Sequence, residues 1–405
     1  MGVVTIGDVA KLVRGVSYKK EVSRNEPSEN YVALLRANNI VNGAFSFDEL
    51  VYVPSSLVNS EQFLDEGDIM ITMSSGSKAH VGKVALSKTK LDCAFGAFCA
   101  KIKMNEAVLP KYLYYVMLDG EFRKYIEHQS KGTNINNLKR DYILGFSFNL
   151  PPLEEQRRIV ARIEELFSEL DAAVATLERT KEQLAVYRQA VLKEAFTKDN
   201  SWESCSLGDV IRVLTDYHSN GSYKVLKENV TLLDEPSYAI MVRSTNFEKD
   251  DFKTDLKYIN QHSYDFLKKS QLFGDEVLMG KIGNAGKVYY MKSLGRPMSL
   301  AMNMFAMRFN EGIYSKFVYY YLLSSEAIAD IKQYVKGVGT PTIDKKSVRS
   351  LKFVYPNENR QMEIVDMIES RLSVCDKIEE TVNTALQEAE AMRQSILKQA
   401  FAGEL

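Results

Sequence analysis

A chain of 405 residues is too long for one ordinary hydrophobic core, so two or more domains are expected. Its 45% hydrophobic and 26% charged residues are those of a soluble globular protein. No apolar run approaches the roughly 18–20 residues of a membrane span, and a net charge of −1 by itself gives no sign of nucleic acid.

The N-terminus, MGVVTIGDVAK, has no basic region followed by an apolar core, so no signal peptide is expected. Cys93, Cys99, Cys205 and Cys375 show no C-x-x-C spacing. Together with only four scattered histidines they point to buried, reduced thiols in a cytoplasmic protein and to no metal site.

In chain order, residues 1–150 read as a mixed globular segment. Tyr31–Leu35 and Asp68–Thr72 have the character of short strands, and Pro110–Asp119 that of a tyrosine-rich helix. Residues 151–198 read as one long helix. Residues 199–355 return to the mixed pattern, with strands expected at Glu276–Met279, Val288–Met291 and Met302–Phe309 and a helix at Lys316–Ser324. Residues 356–405 read as a second long helix. The globular segments carry net charges of +2 and +3, the helical ones −1 and −5. Strands and helices do not alternate regularly, so the fold class is α+β.

The chain is an internal repeat. Residues 156–196 and 361–401 match without gaps at 14 of 41 positions, and YRQAVLKEAF near the end of one helix returns as MRQSILKQAF at the end of the other. Upstream, Ile6-Gly7-Asp8-Val9 corresponds to Leu207-Gly208-Asp209-Val210, Tyr31-x4-Arg36-x2-Asn39 to Tyr238-x4-Arg243-x2-Asn246, and Gly67-Asp68 to Gly274-Asp275. Val81–Val84 corresponds to Ala285–Val288. The unit is a globular domain of about 150 residues followed by a helix, written twice.

Ile163, Leu170, Leu177, Leu184 and Val191 recur every seven residues in the first helix. Ile368, Cys375, Val382, Ala389 and Ile396 do so in the second. Leu166, Ala173, Tyr187 and Ile378, Ala385, Met392 lie three further on. This is a coiled-coil seam, and each stripe could also serve as ordinary core against the globular domains. Neither helix contains an internal Gly or Pro. Pro151 and Pro356 mark their starts, with Glu154, Glu155 and Glu358 suited to the first turn. The second domain begins where the first helix ends and finishes where the second helix begins. A domain of ~30–40 Å therefore forces the two helices to run antiparallel. The expectation is two globular domains joined by an antiparallel coiled coil of roughly 60 Å, with a pseudo-twofold relation between the halves.

Catalytic signatures are missing. Gly280–Val288 departs from the G-x4-G-K-S/T spacing of a phosphate loop. Asn149-Leu150-Pro151-Pro152 departs from the Asn-Pro-Pro-aromatic motif of amino-methyltransferases, and no H-E-x-x-H or G-x-S-x-G occurs. No catalytic residue and no cofactor is assigned. The loops suit binding. Glycine-rich, basic segments with Lys78, His80 and Lys83 in one domain and Lys281, Asn284 and Lys287 in the other could approach phosphates. Arg36, Asn39, Arg243 and Asn246 are residue types that read guanine and adenine edges. Asn134, Lys139, Thr340 and Lys345 lie in further polar loops. Each of these has a competing reading as a solvated turn or as packing within its domain.

Leu150-Pro-Pro-Leu-Glu-Glu-Gln156-Arg-Arg-Ile-Val160, Gly67-Asp-Ile-Met70, Trp202-x4-Leu207-Gly-Asp-Val210 and the two terminal helical stretches carry a family resemblance. In their order and duplication the chain resembles the specificity subunit of type I restriction–modification systems. The resemblance covers the whole chain. It implies two target-recognition domains, each reading one half of a bipartite, asymmetric site in double-stranded DNA. It also implies that the helices set the spacer and dock two DNA adenine methyltransferase subunits, and that restriction (translocase) subunits join the complex. S-adenosylmethionine, magnesium and ATP would belong to those partners, and the chain itself would not be an enzyme. Glu164, Arg188 and Lys193, with their equivalents Glu369, Arg393 and Lys398, mark the expected partner face. The first domain lacks the tryptophan, which implies a shortened opening strand, and the second helix opens without the Pro-Leu-Glu-Glu of the first. The alternatives are a fused enzyme, which the missing motifs disfavour, and a stand-alone coiled-coil DNA-binding or scaffold protein without a methylase partner.

Overall fold

The computed structural model of the chain describes residues 2–129, 137–197 and 201–405. It divides into two compact units, Met1–Glu178 with Asn383–Leu405 and Arg179–Val382. Each long helix thus contributes part of its length to each unit.

The same mixed α+β architecture is built in both. In the first unit a four-stranded antiparallel sheet runs in the order Ala10–Arg14, Cys99–Met104, Ile69–Thr72, Val84–Leu86. In the second the order is Ile211–Asp216, Met304–Phe309, Val277–Gly280, Val288–Tyr290. A second sheet lies behind each, three-stranded in the first unit and four-stranded in the second. Tyr31–Leu35 pairs in parallel with Cys93–Phe95, and Ala239–Val242 pairs in parallel with Met298–Leu300. This layering explains why the inner strands are apolar without alternation: both faces are covered. Ile69 and Ile71 pack toward the helix Pro110–Leu118, while Met70 joins Leu35 and Phe95 on the other side. Val277 and Met279 are likewise separated from Leu278.

Two sequence correspondences shift. Gly67 N–H donates to Ser87 and Ser87 N–H to Asp68, whereas Asp275 N–H donates to Met291 and Met291 N–H to Glu276. The buried acid equivalent to Asp68 is therefore Glu276, one residue beyond the Gly-Asp pair. Asp68 binds the buried Lys101 at 2.9 Å, and Glu276 binds Arg308 at 3.1 Å. The opening strand of the first domain is also not shortened. Gly2–Thr5 pairs with Ser147–Leu150 over four residues, as Glu203–Ser206 does with Lys352–Tyr355.

The long helices span Leu153–Ala195 and Glu358–Ala402. Asn357 starts the second by accepting a hydrogen bond from Arg360 N–H at 3.0 Å. Gly403, at φ +77°, ends it: Gly403 N–H donates to Ala400 O and Glu404 N–H to Gln399 O, closing the last turn. Within the first unit Ile163, Phe167 and Leu170 share a core with Ala389, Ile396 and Leu397. Within the second, Val191, Leu192 and Ala195 share one with Ile364, Val365 and Ile368. The helices are antiparallel in each unit, and the same residues also touch the globular core. Of the heptad positions, Leu177 alone is half-buried; Leu184, Cys375 and Val382 are buried with the others. The positions three residues on depart from the expected seam, since Ala173, Tyr187, Ile378 and Met392 are exposed. Helix ends that pack on both a partner helix and a domain turn a wider, differently phased face inward than a two-helix seam does.

Repeat-equivalent contacts tie each helix to its domain. Gln156 and Gln361 are each 0% exposed. Gln156 Oε1 accepts from Leu109 N–H (2.8 Å), and Nε2 donates to the carbonyls of Pro151 (2.8 Å) and Ala107 (3.0 Å). Gln361 does the same with Tyr314, Pro356 and Gly312. Phe401 packs edge-on to Tyr112, and Phe196 to Phe317. Arg393 pairs with Asp171, and Arg188 with Asp376 at 2.7 Å and Glu379 at 2.8 Å. Lys111 meets Glu164 at 2.6 Å, and Lys316 meets Glu369 at 2.8 Å. Four of the six residues expected to face a partner are thus engaged within the chain, and only Lys193 and Lys398 stay exposed without an ion pair among the described residues. Among those residues no helix is long and apolar enough to cross a membrane.

Replacing Gln156 by Leu orphans one buried N–H and two carbonyls. At about 1–3 kcal/mol per unsatisfied group, we expect a loss of roughly 3 kcal/mol or more in denaturant unfolding. Arg158→Ala, which removes an exposed pair with Glu155, should stay within about 0.5 kcal/mol of the parent.

Candidate nucleic-acid interface

Three loops meet at the same end of the four-stranded sheet in each domain. In the first, Met73 N–H and Ser74 N–H both donate to Phe98 O, Leu138 N–H donates to Met73 O, and Ser74 bridges Asn137. In the second, Lys281 N–H donates to Asn303 O, Ile343 N–H donates to Lys281 O, and Ile282 bridges Thr342. The glycine-rich loop and the later polar loop, singled out separately in the sequence, are therefore zipped together. The turn ending at Phe98 and Asn303 completes each cluster. It escaped sequence reading because Met302 fits a strand; the strand opens at Met304, after Asn303 at φ +71° turns the chain.

The loop glycines serve the fold. Gly82 and Gly286 have φ near +80°, and their N–H groups donate to Thr72 O and Gly280 O within the hairpin. A Cβ would meet Ile126 Cγ2 at 3.0 Å in one domain and Ile331 Cγ2 at 2.4 Å in the other. These amides are not free for phosphate, which corrects the expected role of these two residues.

Asn39 and Asn246 are corrected as well. Asn39 is 1% and Asn246 3% exposed. Asn39 Oδ1 accepts from Arg36 N–H at 2.9 Å, while its amide donates to Ser46 O and Asp48 O. Asn246 accepts from Arg243 N–H at 2.9 Å and donates to Asp251 O. The arginines turn back onto Glu49 O and Asp255 O. An asparagine with its donors and acceptor spent on backbone has none left for adenine. The motif is a cap for a short turn, written twice.

The remaining candidates reach solvent to different degrees. Lys83 is half-exposed, its backbone pairs with His80 O and Thr72 N–H, and its side chain makes no hydrogen bond or ion pair among the described residues. Lys139 and Lys287 are exposed, lying over the rings of Tyr142 and Tyr289. Thr340 is exposed, and Asn284 donates to the Glu248 carboxylate. His80 is half-buried, and its Nδ1 has no partner among the described residues. Lys78 begins a short 3-10 turn. Asn134 lies outside the described residues.

Lys281 and Lys345 converge on Asp216, a residue sequence reasoning missed. Lys281 Nζ lies 2.7 Å from Oδ2; Lys345 Nζ lies 2.9 Å from Oδ1 and 2.8 Å from Ser219 Oγ. Asp216 is 5% exposed. Burial raises its pKa, but hydrogen bonds from Lys281, Ser219 and Lys345 together hold it well below the ordinary 3.8. The residue opposite Ala100 in the first domain, where Asp216 lies opposite Phe305, is Arg14, exposed to solvent. The two tips share a backbone and differ in charge. Among the described residues no group of His, Cys, Asp or Glu is placed to hold a metal ion.

A duplicated domain with paired loops at one sheet end, each followed by a long helix, defines a repeat protein that presents two similar but differently charged loop clusters. The type I restriction modification DNA specificity domain matches residues 1–183 and again residues 200–388. The chain is 32% identical to the type I restriction enzyme StySPI specificity subunit of Salmonella potsdam, over 99% of this chain and 88% of that one. It is 29% identical to the EcoKI specificity subunit of Escherichia coli K12, over 100% and 89%. Its fold superposes with a TM-score of 0.71, at 18% identity and over 100% and 98% of the two chains, on a chain solved under "Structural basis underlying complex assembly and conformational transition of the type I R-M system". The chain belongs to the type I restriction–modification specificity-subunit family, whose task is DNA sequence recognition.

Two outcomes follow. Asn39→Ala should lower stability by about 2–3 kcal/mol while leaving the DNA sequence recognised unchanged. The stabilisation from Asp216, a group with a depressed folded-state pKa, is full above the ordinary 3.8 and is lost as pH falls below it. Asp216→Asn should accordingly flatten the acid limb of stability against pH in urea titrations.

Proposed function

We propose that each globular domain reads one half of a bipartite, asymmetric site in double-stranded DNA, and that the helix pair sets the spacer and docks two DNA adenine methyltransferase subunits. Restriction (translocase) subunits join that complex in the cytoplasm. S-adenosylmethionine, magnesium and ATP belong to the partners, and this chain contributes recognition without catalysis.

The observation that carries the reading is unequal divergence between the two units. The Gln156/Gln361 latch, the Arg188–Asp376 and Arg393–Asp171 pairs and the aromatic ends are kept. At the tips, Met73 stands where Lys281 does and Arg140 where Lys345 does. A kept frame with altered tips suits two different half-sites and two identical partners. With four of the six charged helix positions engaged inside the chain, the exposed Lys193 and Lys398 and the repeat-equivalent exposed Tyr187 and Met392 offer the partner a contact on each helix.

Co-expression with a cognate methyltransferase, followed by genome-wide mapping of methyladenine, should yield one gapped, asymmetric motif. A continuous motif, or no methylation with a competent partner, would sink the reading. Inserting two helical turns near Thr180 and Thr384, about 10 Å of helix at ~1.5 Å per residue, should lengthen the gap by about three base pairs at ~3.4 Å each. Both half-sites should stay as they were.

A further inference from the structure

We propose that the loop 336–342 of the second domain is a base-reading finger whose tip, Val338, contacts the 5-methyl group of a thymine in the major groove. The proposal rests on the reading of the chain as a DNA specificity subunit and names one residue and one base feature within it.

Val338 is 105% exposed, as open as in an extended peptide. It stands at the apex of a loop whose base is ordered by hydrogen bonds. Lys336 N–H donates to Thr342 O at 2.9 Å and Thr342 N–H to Lys336 O at 2.8 Å, closing the loop at its base. Gly283 N–H holds Pro341 O at 2.9 Å from one side, and Ile343 N–H holds Lys281 O at 3.0 Å. Gly337 adopts φ +94°, and a Cβ there would lie 2.8 Å from Thr340 O, so only glycine permits the turn. The base of the loop is held in place before any ligand arrives, which lowers the ordering cost of binding.

Its chemistry selects the ligand. Gly337 and Gly339 leave the loop thin on either side of Val338, so one small branched side chain projects from a narrow ridge. Such a ridge can enter a groove about 12 Å wide. A single valine is too small a patch for protein docking, and it lacks the length of the apolar wedges that part base steps. At the foot of the loop stand Lys336 and, through the Ile343 N–H to Lys281 O bond, the Asp216-bound Lys281, cations suited to phosphates beside the groove. Within the major groove, thymine alone presents an apolar group, its methyl.

The test uses the chain assembled with its methyltransferase, on duplexes carrying the site found by methyladenine mapping. Each thymine is replaced singly by deoxyuridine, which removes only the methyl. At one thymine we expect binding to weaken about fourfold, the equivalent of about 0.8 kcal/mol for a buried methyl-sized group. Val338→Ala should bind the thymine duplex more weakly by a similar factor and be indifferent to deoxyuridine at that position. Its melting temperature and its assembly with the partner should equal the parent's, because the side chain touches nothing in the fold. Equal deoxyuridine sensitivity in parent and variant, a uniform loss on all sequences, impaired assembly with the partner, or a site without thymine would each overturn the finger. A parent complex that binds no specific site would overturn the underlying reading too.

Discussion

Each long helix is tied to its domain at its head by one buried side-chain amide. Where the turn at Pro151 meets the helix, the carbonyl of Pro151, the carbonyl of Ala107 and the N–H of Leu109 converge on one side chain. Gln156 has one acceptor and two donors in a fixed plane, which is what those three groups require. An apolar residue would fill the space and leave all three orphaned. Gln361 solves the same problem with Tyr314, Gly312 and Pro356. The latch sets the direction in which each helix leaves its domain, and only then do the ion pairs and aromatic contacts along the helix come into register.

The stretch that recurs as YRQAVLKEAF and MRQSILKQAF gains a physical account from those contacts. Its arginine reaches the opposite helix, its Val-Leu or Ile-Leu pair is buried, and its alanine lies in the core. Its phenylalanine closes on an aromatic of the globular domain. Four constraints within ten residues hold the type at each position, so the match persists where the rest of the helix has drifted. The lysine of each copy is exposed and makes no ion pair among the described residues, and nothing within the chain explains its recurrence.

The parts of the fold legible in the sequence were those governed by local order. Heptad spacing and the lack of Gly or Pro marked both helices, and the apolar runs marked the inner strands; Tyr31–Leu35 has the bounds expected of it. What stayed hidden depends on partners distant in sequence. Arg36-x-x-Asn39 reads equally as a base-reading pair or as a backbone cap, and only burial separates them. Lys281 and Lys345 look like free cations in a polar loop, yet the acid that binds both lies 65 and 129 residues away, at the end of a strand. Tyr187, Ile378 and Met392 fit the seam by spacing alone, but the phase of the buried face is set by the globular domains.

The Asp216 cluster also limits how the second domain can engage DNA. Two ammonium groups and one carboxylate leave a local charge of about +1, and the three donors of each lysine are already partly used. With a net charge of −1 over the whole chain, no broad positive field draws DNA in. Phosphate contacts that are few and held in place position a duplex more than they bind it. Discrimination then falls to the shape and chemistry of the tips, and there the two domains differ most: an exposed Arg14 in one, and in the other an Asp216-bound lysine pair beside a loop whose apex is Val338. The repeat supplies symmetry to the frame and withholds it from the surfaces that read.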